Sequence, residues 1–310
     1  MVVDAYGAVA PAQMTRLLGR SSDLGAGLVV NRLLPQRALR MVGPWCFLDL
    51  VGPVTFAPGT GLNVGPHPHI GLQTVTWLAS GAVLHKDSLG YEQRIEPGQL
   101  NLMTAGAGIA HSEESPPDSQ DPLFGVQFWV ALPQSAECCE PAFEHLSDLP
   151  RFERNGVQGC VIMGSLDHLI SPARTYSPLL AVEFLSDAGG ELDQTLDPVF
   201  DHGLCVLTGA VTLQGEACSA EPLQAGDFCF LGGGRSGLSL SLSPGARCVL
   251  LGGRPFAEPV KLWWNFVASE EKTIRAALDD WNADRRFLPV RAYQGAPLKA
   301  PPWSENSRLK

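Results

Sequence analysis

The residues best able to do chemistry are four donors in two short pairs. His67 and His69 form His-Pro-His, and His111 and Glu113 form His-Ser-Glu. In an extended segment, residues i and i+2 face the same side. The first pair would present two imidazoles together, and the second an imidazole and a carboxylate. A single His-x-His is ordinarily an exposed or hydrogen-bonded pair. Two pairs, each at the edge of an expected strand, point instead to one pocket of three nitrogens and one oxygen. That set suits Fe(II), Mn(II), Ni(II) or Zn(II) and disfavours soft Cu(I). Gly61 and Gly65 precede one pair, Gly106 and Gly108 the other. These glycines would let backbone come close to the site.

The remaining candidates read as structural. His145, His168 and His202 stand alone in polar or loop contexts and are given no function. His85 and Asp87 lie in LHKDSLG, where Asp87 before Ser88 and Gly90 reads first as a turn. Lys86 and Arg94 read as a solvated rim. None of the eight cysteines (Cys46, Cys138, Cys139, Cys160, Cys205, Cys218, Cys229 and Cys248) belongs to a C-x-x-C pair. Most sit in apolar stretches and read as small buried hydrophobes in a reducing compartment.

The elements that must position the donors are short. A chain of 310 residues suggests two domains or one large one, at roughly 100–200 residues each. Apolar or alternating runs recur, including WCFLDLV (45–51), LQTVTWL (72–78), FGVQFWVAL (124–132), LLAVEFL (179–185) and CVLLGG (248–253). Gly and Pro punctuate them, which predicts an all-β antiparallel sandwich or barrel. The stretch from Gly81 through Glu96-Pro97-Gly98 to LNLMTAG looks like a weak copy of VLTGAVTL followed by PLQAGDFCFLGGG. An internal duplication at domain scale follows, with a boundary in the region 140–175. One helix is expected at about 269–287. Ser269 would cap it, Glu270 and Glu271 would suit its first turn, and Ile274, Leu278 and Trp281 would dock it on the sheets. From about Ala296 onward the chain reads as a loose tail.

Net charge narrows the partners. Lys+Arg 22 against Asp+Glu 32 gives a formal charge of -10, which disfavours direct contact with a phosphate backbone. No apolar run approaches the ~20 residues of a membrane span. The stretch Met1 to Pro11 carries Asp4 and no basic region, so it is no secretory signal, and the expected location is cytoplasmic.

The stretches GPHPHIGLQTVTWLASGAVLHKDSLG (65–90), IEPGQLNLMTAGAGIAHSE (95–113) and GVQFWVAL (125–132) closely resemble the pirin family of the cupin superfamily. GPWCFLDLVGPVTF (43–56) resembles the family's segment before the first metal motif. GGRPFAEPVKLWWNFVASEEKTIRAALDDW (252–281) resembles its C-terminal signature and closing helix. The likeness runs from about residue 31 to about residue 287.

That resemblance implies a bicupin of two antiparallel jelly-roll barrels with a C-terminal helix packed on them. Residues 1–150 would form the N-terminal cupin domain with the metal site. Residues 151–310 would form a second cupin domain without metal, carrying the closing helix and the tail. His67, His69, His111 and Glu113 would be the ligands, usually around iron. The second barrel offers His202 and no H-x-H or H-x-E. Gln73 stands where most relatives have Glu, and would be a pocket residue able to donate a hydrogen bond. Leu50 replaces a position often polar or histidine in relatives, making the approach more apolar.

The implied activity is quercetin 2,3-dioxygenase-like ring opening of a flavonol with O2 and loss of carbon monoxide. Glu113 would be the base that takes the hydroxyl proton. Phe47, Trp77 and Met103 are candidates for an apolar pocket wall. The other implied role is a non-enzymatic, redox-sensing regulator that binds a transcription factor or metabolic enzyme. A purely structural Zn(II) site would fill all four positions with protein ligands.

Overall fold

A computed structural model describes residues 13–23, 28–57, 60–214 and 221–303. The N-terminal stretch up to residue 11, Cys218 and the end of the tail (304–310) lie outside the described residues. Strand dominates, with one helix among the described residues, Glu271–Asn282.

The chain divides into two compact units, and neither is a continuous piece of sequence. One holds residues 21–30, 46–147 and 256–310; the other holds 1–20, 31–45 and 148–255. One break between the units falls at residues 147/148. The closing helix belongs with the first barrel rather than the second. Its Ile274, Ala277 and Leu278 are buried in one cluster with Ile70, Trp263, Phe266 and Phe287. Full burial of Ile274 and Leu278 contributes about 1.5–3 kcal/mol each, which fixes the C-terminal segment to that barrel.

Each unit is built mainly from two sheets, and the first also holds a two-stranded antiparallel one, Lys261–Trp263 with Phe266–Ala268. A seven-stranded sheet, most of it in the first unit, runs in the order Ala142–Leu146, Leu100–Thr104, Leu72–Ser80, Leu123–Ala131, Trp45–Val54, Val29–Leu34, Arg20–Asp23. Its companion runs Asn63–His69, Ile109–Glu114, Val83–Asp87, Glu92–Ile95. In the second unit the larger sheet runs Thr15–Leu18, Asp227–Gly232, Asp201–Thr208, Ala246–Gly253, Leu179–Ser186, Val157–Leu166, Arg151–Arg154. Its companion runs Gly190–Thr195, Gly237–Leu242, Ala210–Gln214, Leu223–Gln224.

Taken in chain order, ten strands of one barrel match ten of the other, so the duplication is one of topology. The edge strands break the match. Ala142–Leu146 closes one sheet beside Leu100–Thr104, whereas Thr15–Leu18 closes the other beside Asp227–Gly232.

The helix starts one residue later than Ser269 would dictate. Its N-cap is Glu270, without a side-chain capping bond. The Ser269 hydroxyl and backbone N–H both donate instead to the Glu137 carboxylate, at 3.0 and 2.9 Å. The helix also stops at Asn282, so Arg285 and Arg286 lie beyond its last turn.

The tail up to Trp303 is anchored rather than loose. The backbone N–H of Leu298 donates to the Pro66 carbonyl, and the Trp281 indole donates to the Leu298 carbonyl. Arg275 lies over the Trp303 ring, whose centroid is 5.1 Å from that of Trp263. Gly65 marks the crossing. A Cβ there would meet the Ala296 carbonyl oxygen at 3.1 Å, so this glycine admits the tail.

Candidate metal centre

The histidine pairs meet because two neighbouring strands of the small sheet carry them. Asn63–His69 and Ile109–Glu114 pair antiparallel, with His67 opposite His111 and His69 opposite Ile109. Pro66 and Pro68 cannot donate to a ladder, and their strand is the edge of its sheet, where that deficit is tolerated.

The three imidazoles converge. One ring nitrogen from each of His67, His69 and His111 lies within 4.8 Å of the others, and all three residues are buried. The Nε2 atoms of His69 and His111 are 3.1 Å apart. The opposite nitrogens face acceptors: His67 Nδ1 is 2.9 Å from the Gly65 carbonyl and His69 Nδ1 is 3.1 Å from the Asn265 carbonyl. A carbonyl can only accept, so each Nδ1 carries the hydrogen and each Nε2 keeps its lone pair. Burial lowers the pKa of His67 to about 4 and holds His69 and His111 well below the usual histidine range. They remain neutral, which is the ligand form. Lone pairs of neutral imidazoles aimed at one another repel unless a cation lies among them. The donor set therefore fits a divalent transition metal.

Glu113 lies two residues beyond His111, past a register shift in the pairing with the His67 strand. Its carboxylate is not among the atoms that converge within 4.8 Å, which come from the three histidines. Burial raises its pKa to about 7.

An aromatic wall adjoins the cluster. Trp129 meets His69 edge-on at 5.1 Å, and Phe47 stacks on Trp129 at 3.9 Å. Of the wall candidates, Phe47 is thus one ring from the site. Trp77 and Met103 are fully buried strand residues. Leu50 is buried as well. Gln73 is wholly buried and donates to the Thr104 hydroxyl at 3.0 Å.

Five side chains read as bland in the sequence take other places. His85 and Asp87 are both buried, joined to one another, and His85 reaches His111. Lys86 is no solvated rim residue: its ammonium donates to the Ala292 carbonyl and pairs with Glu114 at 2.7 Å. His202 occupies no loop or polar setting but is buried in the strand Asp201–Thr208. It is the second residue of that strand, as Gln73 is of its counterpart Leu72–Ser80. His145 sits in a strand too, with Nδ1 2.7 Å from the Asn101 side-chain oxygen. Arg94 is the exposed rim residue expected, paired with Glu96 and Asp118.

Sequence reasoning passed over Trp129 and Asn265, and it set aside the His85–Asp87 pair, reading Asp87 as a turn residue. That pair had the same i, i+2 signal as His67 and His69. Asn265 had none, since it acts through its backbone carbonyl from the far end of the chain.

The second barrel differs at the same places. Its counterparts of the two histidine strands read GELDQT and GLSLSL, without histidine or cysteine.

Two jelly-roll barrels in one chain, with three imidazoles converging in the first, define a bicupin with a candidate metal centre in one barrel. The chain belongs to the pirin family: the Pirin model matches residues 27–130, and the model of the pirin C-terminal cupin domain matches 181–287. A Pseudomonas aeruginosa protein named "Putative quercetin 2,3-dioxygenase" is 47% identical over 290 residues, covering 93% of this chain and 90% of that protein. Human pirin is 30% identical over 283 residues, covering 90% of this chain and 95% of that protein. The crystal structure of a quercetin 2,3-dioxygenase from Acinetobacter baumannii superposes with a TM-score of 0.90 at 39% identity. That match covers 96% of this chain and 98% of the other.

Proposed function

We propose that this chain is a metal-dependent dioxygenase that opens a flavonol-like ring, with His67, His69, His111 and Glu113 holding a mononuclear metal ion, Fe(II) before Mn, Ni or Zn. The observation that carries the reading is the convergence of three neutral imidazoles beside the Trp129–Phe47 wall. The names of the Pseudomonas and Acinetobacter relatives support a flavonol as the substrate class and O2 as co-substrate.

A bound ion, held by these residues, would supply Lewis acidity toward a substrate oxygen and O2. The chain's own residues do the rest. Trp129 and Phe47 offer flat apolar faces against which a planar aromatic substrate can orient and shed water. Glu113, two residues along the strand from His111, receives the proton of the substrate hydroxyl. Catechol-like substrates would use the same two features.

The test uses one anaerobic preparation loaded with Fe(II) and verified by elemental analysis. Quercetin is added in air and the loss of its visible absorption is followed. Turnover that is abolished in Glu113→Ala supports the reading. Full occupancy with Fe, Mn or Ni and no turnover in any form refutes it, and gives weight to a regulatory role through a protein partner.

A further inference from the structure

Two of the three converging histidines are oriented by backbone carbonyls, whereas the third is not. His111 Nδ1 lies 3.4 Å from His85 Nδ1, inside the buried interior. His85 Nε2 lies 3.1 Å from Asp87 Oδ2. The other Asp87 oxygen accepts the backbone N–H groups of Leu89 and Tyr91, at 2.9 and 3.1 Å. The pairing of their strands brings these groups together, with His111 opposite Asp87 and Glu113 opposite His85. His85 is held flat against Phe143, with ring centroids 4.3 Å apart and an angle of 11° between the planes.

The direction of this chain of hydrogen bonds follows from its far end. A carboxylate only accepts. Asp87 therefore requires the hydrogen on His85 Nε2, which leaves His85 Nδ1 as an acceptor. That acceptor requires the hydrogen on His111 Nδ1, which leaves His111 Nε2 with its lone pair. His111 Nε2 is the atom that faces His69 Nε2. We infer that Asp87 and His85 are positioning residues that fix the tautomer and ring orientation of His111, and so set the affinity of the centre for a divalent metal. The inference rests on the reading of His67, His69 and His111 as ligands. It gives the third histidine what Gly65 and Asn265 give the other two. Carboxylate or carbonyl partners behind ligand imidazoles typically change metal affinity by about 10–100-fold.

The same geometry makes Asp87→Asn a sharp probe, because it barely changes volume. The two backbone N–H groups hold the amide oxygen where Asp87 Oδ1 lies. The amide NH2, a donor, then faces His85. His85 must turn acceptor there and donor toward His111, and the hydrogen of His111 moves to Nε2. The wrong nitrogen is then protonated for binding a metal.

Two measurements decide the matter. Apo-protein with ¹⁵N-labelled histidine gives the tautomer of His111 by long-range ¹H–¹⁵N correlation. The expected result is Nδ1–H in the unaltered chain and Nε2–H in Asp87→Asn. Titration with Co(II) against a chelator gives affinity and the visible spectrum of the bound ion. Asp87→Asn and His85→Phe, which keeps the stack on Phe143, should both bind about 10–100-fold more weakly. His85→Gln, which can accept from His111 and donate to Asp87, should recover part of that loss.

Wild-type affinity and spectrum in both weakened variants would overturn the inference while leaving the ligand reading intact. So would an unchanged His111 tautomer in Asp87→Asn, or an equal loss in His85→Gln and His85→Phe. Failure of the unaltered chain to bind Co(II) would overturn the ligand reading and this inference together. If His85→Phe fails to fold, Asp87→Asn decides by both measurements.

Discussion

His202 offers a test of the buried second barrel that is independent of the metal. Its side chain is wholly enclosed in the strand Asp201–Thr208, and Gly252 on the neighbouring strand makes room for it. A Cβ at Gly252 would stand 2.8 Å from the His202 ring. Burial lowers the His202 pKa from 6.5 to about 4. The folded value lies below the unfolded one, so as pH falls the unfolded chain takes up this proton first. Stability from neutral His202 is complete above the unfolded pKa and is lost as pH falls between 6.5 and about 4. The full loss is about 3 kcal/mol, at about 1.4 kcal/mol per pKa unit. Between about pH 8 and about pH 5 it amounts to about 2 kcal/mol, or roughly 30-fold in the folded-to-unfolded ratio.

His202→Leu cannot take up the proton, so it should escape this loss. The relevant quantity is the change with pH in the stability gap between the two proteins, not the offset that a core substitution brings at any one pH. Urea unfolding at the two pH values, read by hydrogen-exchange mass spectrometry on peptides from Asp201–Thr208 and Ala246–Gly253, isolates the right barrel. The gap should move by about 2 kcal/mol in favour of the leucine variant on acidification. The other histidines titrate alike in both proteins and cancel. A gap that stays constant, or that moves the other way, would refute the reasoning. Metal content should be unchanged in the same variant.

Two further outcomes follow from the first barrel. His69→Ala should abolish metal retention on elemental analysis while far-ultraviolet circular dichroism remains that of the unaltered protein, since the barrel core excludes the ion; stoichiometric metal in the variant would remove His69 from the ligand set. Gly71→Ala should cost about 2–5 kcal/mol in urea unfolding, because Gly71 has φ +65 and a Cβ there would lie 2.0 Å from the Val267 carbonyl oxygen. The displaced segment carries Asn265, so this variant should also bind metal more weakly, and wild-type stability would show that the crossing yields without strain.

Much of the molecule is written locally. The alternation of apolar residues and the scatter of Gly and Pro specify short antiparallel strands, and those appear throughout. The i, i+2 spacing of His67/His69 places both side chains on one face of a strand whatever the rest of the chain does. The motifs around them carried the pirin likeness, and with it the two barrels. The apolar spacing of Ile274 and Leu278 gave the helix, because its period is a property of twelve neighbouring residues.

Other features depended on partners far away in sequence. Ser269 has the chemistry of a cap, but Glu137, 132 residues earlier, takes both of its donors. Asp87 has the chemistry of a turn and performs it, yet its second oxygen belongs to His85 because both are buried beside His111. The tail from residue 296 to 303 has a disordered composition and is held by Pro66 and Trp263. His67, His69, His111 and Glu113 were visible as donors from the sequence. That His67, His69 and His111 converge, with Asn265 behind one and His85 behind another, was decided by strand pairing and by the return of the C-terminal segment. Side-chain type and spacing fix which face a group points to. Which groups meet it, and hence its tautomer and charge, is set by contacts that no local pattern encodes.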